Sequence, residues 1–276
     1  MSAPEPTTEA GAAALAALLA DPQHALLALD FDGTLAPIVD DPERAAAHPG
    51  AVAALAEVGA VLGCVAVVTG RPAHTAVRLG GFEGVDGLGA MVVLGQYGVE
   101  RWDAASGQYT LPPEPAAVTA AADELPGVLD GLGLSAARIE HKGRAVGVHT
   151  RQLPDPRDAF TRLLGPLREL AGRHGLHLEP GRNVLEIRAT GSDKGAALRA
   201  LRSEVGARTV VFGGDDLGDL PAYEAVEQLR TEGVPGLLLC SASAEEDALR
   251  DRADVVVEGP EGVAAWLADL AVRLRS

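Results

Sequence analysis

Four short apolar runs, each ending at a cluster of polar residues, constrain the fold of this chain more than any other feature. The runs are ALLAL before Asp30, VAVV before Thr69, MVVL before Gly95 and TVVF before Gly213. They are rich in valine and leucine without polar alternation, which is typical of strands buried on both faces of a parallel sheet. Ala-rich stretches of helical character, such as residues 50–59 and 194–205, lie between them. This alternation predicts a doubly wound, Rossmann-like α/β core.

A different pattern fills the middle of the chain. Residues 136–151 and 176–188 alternate apolar and polar side chains, which predicts an antiparallel sheet with one covered face. The first stretch is predicted to form a hairpin that turns at or near residues 142–144. Residues 115–125 and 155–173 have helical character. Helices combined with antiparallel strands predict a small α+β unit inserted between the parallel β–α units.

These patterns divide the chain into domains. We predict a disordered tail at residues 1–8, a parallel-sheet core at residues 9–108 and 191–276, and an inserted α+β cap domain at residues 109–190. The turn-rich sequence ASGQYTLPPEP marks the start of the cap.

Composition argues against several partners. The 23 lysines and arginines against 39 acidic residues give a net charge of −16, which would repel nucleic acid and anionic membranes. No basic residue precedes Arg44, and the early apolar stretch Ala10–Ala20 is shorter than the ~20 residues that span a bilayer, so we expect no export signal and no membrane helix. Cys64 and Cys240 lie in apolar runs and are predicted to be buried, unpaired thiols of a cytoplasmic protein.

The sharpest chemical signal is DFDGTL, which places Asp30 and Asp32 directly after the first apolar run. The carboxyl ends of parallel strands are where open α/β sheets bind ligands. Paired carboxylates there suit a hard cation such as Mg²⁺, and an aspartate can attack phosphorus to form a covalent intermediate. A solvated acidic turn is the alternative reading of this motif taken alone.

Three further clusters are predicted to reach the same edge of the sheet. Thr69-Gly70-Arg71 offers a hydroxyl and backbone N–H groups to a phosphoryl oxygen, while Gly214-Asp215-Asp216, with Asp219, offers more carboxylates for a metal. Ser192-Asp193-Lys194 opens a helix, with Ser192 as the expected cap, so Lys194 lies where the helix dipole favours an anion. Four such clusters in this order favour a phosphoryl-transfer site over unrelated loops.

These clusters resemble the four motifs of the haloacid dehalogenase-like phosphatase superfamily over nearly the whole chain: DFDGT, the threonine of VVTGRP, the lysine of SDKG, and GDDLGD. The resemblance implies that Asp30 is the nucleophile and Asp32 the general acid/base. Thr69 would hold the phosphoryl group and Lys194 would balance its charge. Mg²⁺ would be bound by Asp30, the Asp32 backbone carbonyl and Asp215.

The same resemblance implies supporting roles for other residues. Asp216 and Asp219 would bind the metal or support its ligands. Gly70 and Arg71 would contact the phosphoryl group, although Arg71 would equally suit the role of a loop cap.

Within that superfamily the chain is most similar to the trehalose-6-phosphate phosphatases. The similar stretches are LDFDGTLAPI, VTGRP, GQYGVE, IEHKG, VHTR, GRNVLEIR and VVVEGPEGVAAWL. The resemblance implies that Glu140, Lys142 and Glu186 contact a sugar. Arg182 would either clamp phosphate or lie on the polar face of a cap strand. The chain departs from the family pattern at Gln96-Tyr97, where a small or polar residue followed by histidine is usual, and at Ala189, where proline is usual.

The implied activity is the Mg²⁺-dependent hydrolysis of trehalose 6-phosphate to trehalose and phosphate through an aspartyl phosphate, in trehalose biosynthesis. Sucrose 6-phosphate or a glycosyl phosphoglycerate is the alternative substrate, and a non-catalytic sugar-phosphate sensor is the alternative function. The expected partners are a small-molecule sugar phosphate and, through a functional link, a trehalose-phosphate synthase.

The distribution of lysine supports the same residues independently. Of the 23 basic residues, only Lys142 and Lys194 are lysine, and both fall inside motifs found on other grounds. An ammonium is a compact point charge that the larger, planar guanidinium does not replace. The pattern therefore predicts that both lysines serve sites of defined geometry.

Overall fold

A computed structural model describes residues 3–39, 41–113, 115–181, 183–189, 193–242 and 249–275. The chain forms two compact units, one of Met1–Leu111 with Asp193–Ser276 and one of Pro112–Ser192. Within the described residues the strands are β1 (Ala25–Leu29), β2 (Cys64–Val68), β3 (Met91–Gly95), β4 (Glu100–Asp103), β5 (Gln108–Thr110), β6 (Arg138–His141), β7 (Ala145–His149), β8 (Leu176–Gly181), β9 (Val184–Ala189), β10 (Thr209–Gly214), β11 (Gly236–Ala242) and β12 (Val255–Glu258). The helices described are α1 (Glu9–Ala20), α2 (Pro49–Gly59), α3 (Ala73–Gly80), α4 (Ala116–Gly131), α5 (Pro156–Arg173), α6 (Lys194–Val205), α7 (Leu220–Thr231) and α8 (Gly259–Leu274).

The first unit is built on one sheet in the order β12-β11-β10-β1-β2-β3-β4-β5. The strands from β12 to β3 pair in parallel. Every residue of β1, β2, β10 and β11 is buried, as their unbroken apolar sequences predict. The predicted doubly wound α/β core is confirmed.

Side chains of β1 show how the sheet is covered on both faces. Leu27 and Leu29 belong to the apolar cluster that includes residues of α1, α2, α3 and α8. Leu26 and Ala28 belong to the opposite cluster, with residues of α6 and α7. Helix layers on both faces leave the carboxyl ends of the strands as the edge from which loops project.

The far edge of this sheet differs from the sequence interpretation. The segment after Trp102 was expected to be only a turn-rich boundary, but β4 and β5 form an antiparallel hairpin there. Trp102 and Tyr109 are directly paired across the two strands, with ring centroids 6.3 Å apart. This aromatic cross-strand pair stabilises a strand that is too short to show in the sequence pattern.

The second unit is a four-stranded antiparallel sheet in the order β6-β7-β9-β8. The predicted hairpin is present as β6 and β7, and its turn contains Gly143 in a left-handed conformation with φ 73°. Helices α4 and α5 contribute to the apolar cluster that also contains inward-facing residues of β7 and β9. This unit is the α+β part of the predicted fold class.

The N-terminal segment is not the disordered tail that the sequence predicts, at least over residues 3–8. The Thr7 N–H donates to the Asp254 carbonyl at 2.8 Å, and the Thr8 hydroxyl donates to the Asp254 carboxylate. Thr8 also caps α1 by accepting from the Gly11 N–H at 3.0 Å. A buried carboxylate more than two hundred residues away thus fixes this segment, which no local pattern indicates. Residues 1 and 2 lie outside the described residues.

No helix among the described residues is both long and apolar enough to cross a membrane.

Candidate active site

The site is assembled where β1, β2 and β10 end side by side. Leu29 is in register with Gly213 on one side and with Val67 on the other. The Asp30 N–H continues the ladder by donating to the Gly213 carbonyl at 2.8 Å. The parallel register therefore brings Asp30 to the same edge as Thr69 and Asp215, as predicted.

Lys194, the first residue of α6, lies between two carboxylates. Its Nζ donates to Asp30 Oδ1 at 2.6 Å and to Asp219 Oδ1 at 2.7 Å, and all three side chains are buried. The helix is capped by Asp193, whose carboxylate accepts from the Ala196 N–H at 2.7 Å, and not by Ser192, the cap expected from the sequence. Ser192 itself lies outside the described residues.

Asp215 completes a cluster of three buried carboxylates. Oxygen atoms of Asp30, Asp215 and Asp219 all lie within 4.8 Å of one another. Asp215 Oδ1 is buried and has no hydrogen-bond partner within the part of the chain that the structure describes. A Cβ at residue 33 would lie 1.9 Å from Asp215 Oδ2, so Gly33, at φ 77°, is required by both space and backbone conformation.

Asp219 and Asp216 organise the loop that carries Asp215. Asp219 Oδ2 accepts from the N–H groups of Asp215 and Asp216 at 3.0 and 3.3 Å, while its other oxygen accepts from Lys194. The exposed Asp216 accepts from the Gly218 N–H at 2.8 Å and forms a capping box with Asp219. Both oxygens of Asp219 are thus engaged with the protein, whereas Asp215 keeps an oxygen for a ligand.

The charges in this cluster do not balance. Burial raises the pKa of Asp30 well above its usual value, against the lowering effect of Lys194. Burial, reinforced by Asp30 and Asp219, raises the pKa of Asp215 to about 10. Burial alone would lower the pKa of Lys194, but Asp219 and Asp30 outweigh it and raise that pKa well above its usual value, so the ammonium stays charged.

Three buried carboxylates therefore face one ammonium, and the surplus negative charge suits a divalent cation. The donors are oxygen atoms, which Mg²⁺ prefers. The open oxygen of Asp215 and the proximity of Asp30 fit the ligand roles predicted for these two residues.

Arg71 and Asp32 are brought together in a way that the sequence does not indicate. Arg71 Nε and Nη2 each donate to an Asp32 oxygen at 2.7 Å, and Nη1 donates to the Pro42 carbonyl at 3.0 Å. The guanidinium also lies over the Phe31 ring, 5.7 Å from its centroid. In this structure Arg71 holds the side chain of Asp32, and its predicted contact with phosphate stays a prediction.

Thr69 and Gly70 form the loop after β2. Thr69 is buried, and its Oγ1 accepts from the Arg71 N–H at 3.1 Å. The nearby turn at Gln96-Tyr97 holds this loop through several contacts that sequence reasoning missed. The residue types at these two positions do not indicate the unusual backbone conformation of the turn.

Ser241 is a second residue that sequence reasoning missed. Its buried hydroxyl, at the end of β11, donates to the Gly33 carbonyl at 2.6 Å. This bond fixes the loop between Asp32 and Thr34, although the donor lies 208 residues away in the chain. A single serine at the end of an apolar run carries no signal of such a contact.

The predicted sugar-binding residues form a separate polar cluster inside the second unit. Lys142 Nζ donates to Glu186 Oε2 at 2.6 Å and lies 3.9 Å from Glu140 Oε2. His149 Nε2 donates to the same Glu140 oxygen at 2.7 Å. This hydrogen bond, supported by Lys142, lowers the pKa of Glu140 to about 2. Arg182, the remaining predicted residue, lies outside the described residues.

Glu186 gives this cluster an open acceptor. Its Oε1 is buried and receives no hydrogen bond from any described residue. Glu140, Gly147 and Glu186 lie in one cross-strand row of β6, β7 and β9, so the two carboxylates share a face of the sheet. Carboxylates and an ammonium on one face can satisfy both the donor and acceptor capacity of sugar hydroxyls.

Known proteins resemble this chain in sequence. A family model described as trehalose-phosphatase matches residues 28–255. A trehalose-phosphate phosphatase of Mycobacterium avium is 34% identical over 224 residues, which cover 78% of this chain and 55% of that protein. The chain thus spans about half the length of this relative.

Solved structures share the fold. The C-terminal domain of Candida albicans trehalose-6-phosphate phosphatase has a TM-score of 0.73 and 18% identity, and the match covers 99% of both chains. A haloacid dehalogenase-like hydrolase from Bacteroides thetaiotaomicron has a TM-score of 0.59 and 16% identity over 88% of this chain and 98% of that one.

Proposed function

Since the chain belongs to the trehalose-phosphatase family, we propose that it hydrolyses trehalose 6-phosphate to trehalose and inorganic phosphate. The observation that carries the proposal is the buried cluster in which Lys194 bridges Asp30 and Asp219 beside the open oxygen of Asp215. Phosphoryl transfer through an aspartate needs a nucleophilic carboxylate, a fixed ammonium and a carboxylate oxygen that is available to a cation.

Asp30 attacks phosphorus, forming a bond from its carboxylate oxygen while the bond between phosphorus and the sugar oxygen breaks. Lys194 is held against one oxygen of Asp30 and offsets the negative charge that develops on the phosphoryl group. Asp215, Asp30 and the Asp32 carbonyl would hold Mg²⁺. When bound, this ion would neutralise the surplus carboxylate charge and polarise the phosphoryl oxygens.

Asp32 moves the proton. As a carboxylic acid it protonates the departing sugar oxygen, and as a carboxylate it then takes a proton from the water that attacks the aspartyl phosphate. That second attack breaks the bond between phosphorus and Asp30, which restores the carboxylate. The two hydrogen bonds from Arg71 hold the side chain of Asp32 in one orientation.

The cap cluster would select the sugar. Glu140, Lys142 and Glu186 present a mixed set of donors and acceptors to hydroxyl groups, with Glu186 Oε1 open to receive a hydrogen bond. A cytoplasmic location suits Cys64 and Cys240, which are buried and form no disulfide. There the chain would act on the product of a trehalose-phosphate synthase.

The proposal is tested by phosphate release from trehalose 6-phosphate beside sucrose 6-phosphate, glucosyl phosphoglycerate and p-nitrophenyl phosphate, with and without Mg²⁺. Trehalose 6-phosphate should be the best substrate, and EDTA should abolish turnover. Asp30→Asn should reduce turnover by at least about a thousandfold, while Asp86→Asn, at an exposed surface position, should not. If another sugar phosphate were the better substrate, the assignment of trehalose 6-phosphate would be wrong. Near-normal turnover of Asp30→Asn would rule out an aspartyl phosphate intermediate.

A further inference from the structure

The turn after β3 has an unusual backbone. Gln96 and Tyr97 adopt left-handed conformations with φ 48° and 60°, followed by Gly98 with φ 93°. Residues other than glycine rarely adopt such φ values. Two such residues in succession keep this backbone conformation only where the surrounding contacts enforce it. Such strain is concentrated at functional sites, so the residues that contact this turn indicate what the turn does.

Three hydrogen bonds of this turn reach the loop after β2. The Gln96 N–H donates to the Arg71 carbonyl at 2.9 Å, and the Tyr97 N–H donates to the Thr69 carbonyl at 3.0 Å. The buried side chain of Gln96 donates from Nε2 to the Gly70 carbonyl at 3.3 Å. Three consecutive carbonyls of the loop are therefore held by two strained residues.

This arrangement sets the direction of the opposite groups of the loop. A trans peptide points its N–H away from its carbonyl, so a Thr69 carbonyl that faces the turn directs the Gly70 N–H away from it. The Arg71 N–H is used by Thr69 Oγ1, which fixes the hydroxyl of Thr69 as well. The turn thus orients the Thr69 hydroxyl and the Gly70 N–H, the two groups that the family resemblance implies at the phosphoryl group.

Packing reinforces the hydrogen bonds. A Cβ at residue 70 would lie 2.9 Å from Cζ and Oη of Tyr97, so the phenol ring lies against Gly70 and a side chain there would displace it. A Cβ at residue 95 would lie 2.3 Å from the Ala73 nitrogen. Glu100, just beyond the turn, accepts from the Ala73 N–H at 2.7 Å and so caps α3.

We propose that Gln96 and Tyr97 are positioning residues of the phosphoryl site: the strained turn clamps residues 69–71 so that the Thr69 hydroxyl and the Gly70 N–H meet the phosphoryl oxygens. The inference rests on the proposed function, because it takes these two groups as phosphoryl ligands. It gives a role to the dipeptide at which the chain departs from the family pattern.

Glycine substitutions separate positioning from stability. Gln96→Gly and Tyr97→Gly remove the side-chain contacts but allow the same φ without strain, so the melting temperature should stay within a few degrees of wild type. Loss of the Gln96 hydrogen bond should weaken orthovanadate binding, measured by thermal shift at saturating Mg²⁺, by about threefold to tenfold. Misplacement of the loop should lower kcat/KM for p-nitrophenyl phosphate by about tenfold to a hundredfold. Gln96→Asn keeps a left-handed turn but shortens the amide, and it should weaken orthovanadate binding in the same direction.

Asn183→Gly is the matched control. Asn183, with φ 55°, is the third non-glycine residue with positive φ in the described chain, and it lies in the other compact unit. This substitution should leave orthovanadate binding unchanged. The proposal would be overturned if both glycine variants bound orthovanadate with wild-type affinity. It would also be overturned if the loss of affinity in all three turn variants only followed a fall in melting temperature. A wild-type protein that releases no phosphate and binds no orthovanadate would instead overturn the proposed function.

Discussion

The two lysines of the chain lie in two different polar clusters, and these clusters differ in burial. In the core cluster the side chains of Lys194, Asp30 and Asp219 are 5%, 6% and 0% exposed. In the cap cluster Lys142 and Glu140 are 22% and 32% exposed, and only Glu186, at 8%, is buried to a comparable degree. Similar ion pairs therefore have different surroundings in the two compact units.

The difference in burial suits the two clusters to different functions. A buried ion cluster cannot exchange its partners with water, so its geometry is fixed and its surplus charge must be offset by a cation or by protons. A partly exposed cluster is already solvated in part, so sugar hydroxyls can replace water at little cost. We therefore propose that the core cluster serves phosphoryl transfer and that the cap cluster recognises the sugar.

Among the effects that bear on this comparison, the largest is expected for Asp32→Asn on a substrate with a poor leaving group. Loss of the proton donor should slow phosphate release from trehalose 6-phosphate by about 10²–10⁴-fold. The pre-steady-state burst of p-nitrophenol from p-nitrophenyl phosphate should be much less affected, because that leaving group departs without a proton. Stopped-flow absorbance measures the burst, and equal losses on both substrates would remove Asp32 from the role of leaving-group acid.

The next effect compares the two lysines by stability. Lys194→Met leaves buried carboxylates without their ammonium and should lower the free energy of unfolding by about 3–5 kcal/mol. Lys142→Met removes a partly solvated pair and should cost no more than about 1 kcal/mol. Urea unfolding of both variants at pH 8 without Mg²⁺ makes the comparison. Similar losses would contradict the contrast between the clusters.

The smallest expected effect is the pH dependence of the cap. Because the pKa of Glu140 is lowered to about 2 in the folded chain, its contribution to stability is complete above its ordinary pKa and is lost as pH falls toward 2. Unfolding free energies of wild type and Glu140→Gln should therefore converge between about pH 4.5 and pH 2. Glu169→Gln, on the exposed face of α5, is the matched control and is measured over the same pH range. A pH-independent difference between wild type and Glu140→Gln would show that Glu140 is not stabilised in its charged form.

The sequence predicts the sheet and the position of the site well, because both follow from local patterns. Strands buried on both faces read as continuous apolar runs, and polar residues at their carboxyl ends must then meet at one edge. Asp30 and Asp215 could therefore be placed together without coordinates. The hairpin at Gly143 was predictable for the same kind of reason, since alternation and a turn residue occur together.

Partners that depend on the tertiary fold could not be predicted. The pairing of Arg71 with Asp32 and the bond from Ser241 to the Gly33 carbonyl join residues that no periodicity connects. The left-handed conformations at Gln96 and Tyr97 contradict local preference, and only the surrounding contacts enforce them. The expected disorder of residues 3–8 was wrong for a similar reason, because this segment is hydrogen-bonded to Asp254, which is distant in the sequence.

The most direct test of the division between the clusters is Lys142→Ala assayed on two substrates at saturating Mg²⁺. Loss of one charge-assisted contact to the sugar should lower kcat/KM for trehalose 6-phosphate by roughly one to two powers of ten. Turnover of p-nitrophenyl phosphate, which carries no sugar, should remain at the wild-type level. Equal losses on both substrates, or no loss on either, would contradict the assignment of sugar recognition to the cap cluster.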